Sequence, residues 1–183
     1  MRAYEVVIRG ISPLLMHRNS PEMDELLKKQ KNNEARMKVE KENFELYAYK
    51  DEQGYYIPQL MLIRCLVEAA KEFRQEGRGK KTYKNIVGGG FILIEPEKIR
   101  LKCDPPACDL QYVKVQNNRV LRARPRFDKW EASFKMWIAD GIDPDVILAI
   151  LKHAGLFHGL GDFRPNRGGP YGRFEVVKFE EAK

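Results

Sequence analysis

The stretch "WEASFKMWIADGIDPDVILAILKHAGLFHGLGDFRPNRGGPYGRFEVVKFEE", residues 130–181, decides the fold. At its start Phe134, Met136 and Ile138 alternate with Ser133, Lys135 and Trp137, the period of a half-buried strand. Asp143 then stands where an N-cap belongs, Pro144 opens the first turn, and a Leu/Ile/Val stripe runs on until Gly159, which predicts a helix. The β-branched run at the end predicts a last strand. Between helix and strand lies a loop with Gly159, Gly161, Gly168 and Gly169 and with Arg164, Arg167 and Arg173. Glycine lets another backbone come close, and arginine offers a planar fork of donors that suits phosphate, so the loop is a candidate ligand contact. The other reading is that Gly159 and Gly161 cap the helix and the remaining glycines make turns.

Working outward, "AYEVVIRGIS" (3–12) predicts a first strand, ended by Gly10 and Pro13. Residues 21–49, rich in Glu, Lys and Leu, predict a long charged helical insertion, broken near Asn32 and Asn33. Leu60, Ile63, Leu66, Val67, Ala70 and Phe73 follow at helical spacing and predict a second helix packed on the sheet. Residues 74–88 begin with Arg74, Arg78, Lys80, Lys81 and Lys84 and predict a mobile basic loop. Two short extended runs joined at Glu95 and Pro96, and then "QYVKVQNNRVLRARPRF" (111–127), complete the chain. This order predicts one α+β domain over 1–183, a ferredoxin-like (RRM-like) antiparallel sheet with helices on one face.

The chain has 183 residues and a formal charge of +7, with 32% charged residues, so nucleic acid is the first partner to test. Cys65, Cys103 and Cys108 are an odd number without C-x-x-C spacing, which supports neither a disulfide framework nor a zinc site. No window approaches 18 apolar residues, so the expectation is a cytoplasmic protein without membrane contact. There is no G-x-x-x-x-G-K-[ST] pattern and no carboxylate cluster for a two-metal site, and no cofactor or metal is expected. His153 and His158, five residues apart, do not share an α-helical face.

Three sets of residues are candidates for the ligand. Arg122, Arg124 and Arg126 recur every second residue; on a strand they project as a row about 6.6 Å apart, close to the phosphate step of a stretched single strand. The alternative is a solvated strand face. In the closing loop Arg164, Arg167 and Arg173 interleave with Phe163, Tyr171 and Phe174, offering charge for phosphates and rings for stacking, with Phe174 also readable as core. Lys80, Lys81, Tyr83 and Lys84 repeat that combination, or form a solvated loop.

Three segments resemble one family. "GISPLLMHR" (10–18) directly after the first strand, "YYIPQLMLIRCLVEAAKEF" (55–73) and "GLGDFRPNRGGPYGRFEVV" (159–177) are similar to motifs of the repeat-associated protein (RAMP) superfamily of CRISPR systems, and together span about a quarter of the chain. The same combination also looks like that of small phage-encoded proteins. The resemblance implies a ferredoxin-like core that grips single-stranded RNA, subunits that associate along it, and His17 and Arg18 among the binding residues. It also implies an alternative in which His17 serves a metal-independent endoribonuclease, with Arg18, Lys80 or Tyr83 as partner. A third reading is a phage-type single-stranded DNA-binding or annealing protein, because arginines and rings do not by themselves distinguish the sugars.

Overall fold

A computed structural model of the chain describes residues 1–115 and 118–182. The strands are β1 (Arg2–Gly10), β2 (Leu14–Leu15), β3 (Lys50–Asp51), β4 (Gly54–Pro58), β5 (Ile92–Glu95), β6 (Lys98–Cys103), β7 (Ala107–Val115), β8 (Asn118–Phe127), β9 (Trp130–Ile138) and β10 (Phe174–Glu181). The α-helices are α1 (Pro21–Lys28), α2 (Asn33–Glu42), α3 (Gln59–Ala69), α4 (Lys84–Gly88) and α5 (Pro144–His153). The protein is a mixed α+β structure whose sheets are antiparallel in every described pairing.

In the larger sheet β1 runs between β10 and β9. The far edge of β9 is shared, with β5 along its C-terminal half and β6 along its N-terminal half, and β4 and β3 continue outward from β6. Alternation sets the faces as the sequence predicts. Tyr4, Val6 and Ile8 of β1 and Phe134, Met136 and Ile138 of β9 are buried, while Glu5 and Arg9 are exposed. Helices α3 and α5 pack into the same core as this buried face. Burying each large apolar side chain contributes about 1.5–3 kcal/mol, so the face, more than helix propensity, holds both helices in place. Asp143 caps α5 as expected, its carboxylate accepting from the Asp145 amide at 2.9 Å.

Four departures from the sequence reading have physical causes. In α3 the buried residues are Leu62, Cys65, Leu66 and Ala69, whereas Leu60 is exposed. The helix is apolar on two neighbouring stripes, and the small Cys65 lets the second one sit close to the turn that follows α5 (Ala154–His158), its thiol 3.2 Å from the Gly159 carbonyl. The insertion at 21–49 breaks at Asn32 as expected, where Asn32 caps a fresh helix by accepting from the Ala35 amide at 2.8 Å, but its last part is a 3-10 turn (Phe44–Tyr47) rather than a continuation of the helix. It folds back on β8 and encloses a small cluster of Met23, Leu27 and Tyr47. The segment 74–88 is a closed turn rather than an open loop: the Gln75 amide donates to the Lys81 carbonyl and the Tyr83 amide to the Phe73 carbonyl, both at 2.9 Å, and α4 begins at Lys84. Finally, β7 and β8 form a long hairpin that pairs with β2 as a second sheet, so the arginine-bearing strand stands apart from the sheet under the helices.

Candidate nucleic-acid interface

The glycine-rich loop is approached by a backbone, and that backbone is the chain's own. The Asp162 amide donates to the Leu15 carbonyl at 2.8 Å and the Gly172 amide to the Pro13 carbonyl at 2.7 Å, which binds the loop to the turn after β1. A Cβ on Gly161 would strike the Leu15 carbonyl, and one on Gly172 the Leu160 carbonyl; both residues have positive φ. Gly159 abuts Pro165 and Gly169 abuts the Phe163 carbonyl, so of the four glycines expected to meet a ligand only Gly168 faces open space. The close approach inferred from the sequence is real, but its main purpose is internal packing.

The arginine row is met by carboxylates. Arg122, Arg124 and Arg126 do share one side of β8 by alternation, yet each has a carboxylate: Arg122 has Glu40 at 3.1 Å, Arg124 has Asp162 at 2.7 Å and Arg126 has Asp128 at 2.7 Å. Arg124 is only 7% exposed; its Nε lies close to Asp162 as an ion pair without hydrogen-bond geometry, and its Nη1 is buried without a hydrogen-bond partner, as is Oδ2 of its cross-strand neighbour Asp109. Arg124 is thus buried in its pair, while Arg122 and Arg126 stay partly exposed beside theirs. The insertion supplies Glu40 and the closing loop supplies Asp162, neither of which is near β8 in sequence.

His17 sits at this junction. Its ring stacks on Tyr47 with centroids 4.5 Å apart. Partial burial pushes the imidazole below its ordinary pKa, Asp162 and Glu40 pull it up, and Arg124 and Arg122 push it down. Burial, with the nearby Glu40 carboxylate, pushes the Tyr47 phenol up to about 12. The partners expected for His17 do not come to it. Arg18 turns away to donate to the Leu46 carbonyl and to Glu22, Tyr83 lines a different cleft, and Lys80 is exposed on the turn that leads to Tyr83.

The remaining candidates divide between two places. Pro58, Leu60, Met61 and Arg64 face Gly159, Gly161 and Arg164 across a groove of about 250 Å³, with Tyr49 at its side. Arg164 donates to the Gly161 carbonyl at 2.8 Å, which shapes this rim. Beside it Phe163 is 39% exposed and lies 6.1 Å from the Tyr171 ring, whose hydroxyl accepts from Gln111 at 2.7 Å, while Phe174 is fully buried core. Arg167 and Arg173 are exposed. The second place is a cleft of about 830 Å³, where Arg74, Arg78, Lys81 and Tyr83 meet Phe73, Phe91 and the residues before α5. Lys80 and Lys84 are exposed on the same closed turn. The two places share no lining residue.

Sequence reasoning missed one constellation. His153 and His158 both reach the Glu72 carboxylate, at 2.8 and 2.9 Å. They do so because α5 ends in a π-turn, Ala154–His158, which no periodicity in the sequence announces. The cysteines stay apart as thiols, and burial pushes Cys65 up to about 12.

Compared with protein-family models and with curated proteins, the chain matches none. No helix among the described residues is long and apolar enough to cross a membrane.

Proposed function

We propose that this chain is a non-catalytic module that binds single-stranded RNA, of the RAMP type, on a ferredoxin-like core. Following the chain, β1, the β5/β6 edge, β9 and β10 correspond to the four strands of a βαββαβ unit, in spatial order four, one, three, two, with α3 and α5 as its helices. The observation that carries the reading is the convergence of the three segments that resemble the family. Residues 13–15 lie against the glycine-rich loop, and the start of α3 faces that loop across the groove. Arg64 borders the groove as an exposed cation, the loop itself carries exposed Arg167 and Arg173, and Phe163 and Tyr171 offer rings for bases. The basic turn, with Lys80, Lys81, Tyr83 and Lys84, extends the same interface at the other end of α3. Self-association along the RNA belongs to this reading.

Electrophoretic shifts with matched RNA and DNA single strands test it. The expected result is retention of RNA in preference to DNA, with the RNA left intact, and weaker binding by Arg64→Glu. Equal binding of both strands would replace the reading by a single-stranded DNA-binding one. The nuclease alternative rests on the depressed pKa of His17, which leaves a neutral imidazole near neutral pH. Metal-independent cleavage that vanishes in His17→Ala would establish it.

A further inference from the structure

We infer that Glu72, His153 and His158 form a binding site for one divalent zinc-type cation, with the remaining coordination position open to water. Each residue offers one ligand atom, and these atoms all lie within 4.8 Å of one another. A tetrahedral ion with donors about 2.1 Å away holds them about 3.4 Å apart, so small side-chain rotations bring this set to bonding distance. Two imidazoles and one carboxylate are the donor set of open zinc sites, and imidazole suits zinc and its neighbours far better than magnesium or calcium.

The chain has three histidines, and the fold brings two of them to one carboxylate. The device is the π-turn. Residues five apart lie on different sides of an α-helix, but the wider turn brings them together, and here the Gly159 amide donates to the Ala154 carbonyl at 2.8 Å. The turn is fixed from beneath. Cys65 donates to the Gly159 carbonyl at 3.2 Å, and Gly155 packs so tightly on Phe174 that a Cβ there would strike its carbonyl. His153 is held between the Phe73 and Phe157 rings, with centroids 5.4 and 4.7 Å away. His158 is buried, His153 is half-buried and Glu72 is exposed, so the donors are preorganised while the carboxylate side gives an ion access. The inference does not depend on the RNA reading.

The test is equilibrium dialysis of the full chain, stripped with a chelator, against zinc chloride. One equivalent is expected to bind, and His153→Ala and His158→Ala should each weaken binding by about tenfold or more, at least the effect of losing an outer-shell partner. X-ray absorption at the zinc edge of the loaded wild-type protein should show imidazole scattering and no sulfur, a readout that stands even if a variant fails to fold. No uptake, uptake unchanged in the double variant, or sulfur ligation through the cysteines would each overturn the assignment.

Discussion

Arg124 Nε lies 2.7 Å from Asp162 Oδ2, which ties the second sheet to the glycine-rich loop 38 positions further along the chain. The arginine side chain is 8% exposed and the aspartate 38%. Removing one member of a buried pair costs about 3–5 kcal/mol because the other charge is left without a partner. Asp162 is partly solvated, which lowers the expected loss for Asp162→Ala to about 2–3 kcal/mol. Urea denaturation measures it, and a loss below about 0.5 kcal/mol would show that water replaces the carboxylate.

Gly172 and Gly168 both have positive φ, but only Gly172 is pressed against another backbone, at the Leu160 carbonyl. Gly168→Ala should cost about 1–2 kcal/mol, the strain of a left-handed alanine. Gly172→Ala should cost about 3–4 kcal/mol, since backbone must also move. Equal losses in thermal melts of the two variants would mean that the Leu160 backbone yields to the added Cβ without consequence.

Acid-paired arginines and free cations differ in what they contribute to a phosphate backbone. Lys80→Ala with Lys81→Ala should make the salt dependence of RNA binding shallower by about 1.4, or about 0.7 for each lost contact. Arg122→Ala should leave the slope unchanged, because Glu40 already neutralises its charge. Binding titrations over a range of salt concentrations decide between the basic turn and the arginine strand. A slope that falls only for Arg122→Ala would return the interface to β8.

His17 makes stability depend on pH in a stated direction. Its folded pKa lies below the ordinary value near 6.5, so the unfolded chain binds the proton more tightly. The stabilisation is therefore complete above about pH 6.5 and is lost as pH falls through that value toward the folded one. His17→Asn should flatten the fall in melting temperature between about pH 7 and 5. A variant whose melting temperature falls as steeply as that of the wild type would contradict the origin assigned to the shift.

Much of the framework was legible because it follows from local periodicity. Alternation marked β9, β-branched runs marked β1 and β10, Asp143 and Pro144 marked the start of α5, and Asn32 marked the break in the insertion, since each of these signals acts within a few residues. The candidate site was legible in part. The glycines and arginines of residues 159–173 announced close backbone approach and charge, but not what would answer them. A stripe of apolar residues could not choose between two adjacent faces of α3, because the small Cys65 matters only once the turn after α5 lies against it.

What the sequence by itself determined is therefore the local grammar of strands, caps and turns, together with a basic surface. Only the tertiary structure decided which charges remain free. It set Glu40 against Arg122 and Asp162 against Arg124 across 82 and 38 positions. It also brought His153 and His158 to Glu72 through a π-turn with no local signature. Pairing of this kind depends on which elements pack together, and packing is settled by burial summed over the whole chain rather than by any short run of residues.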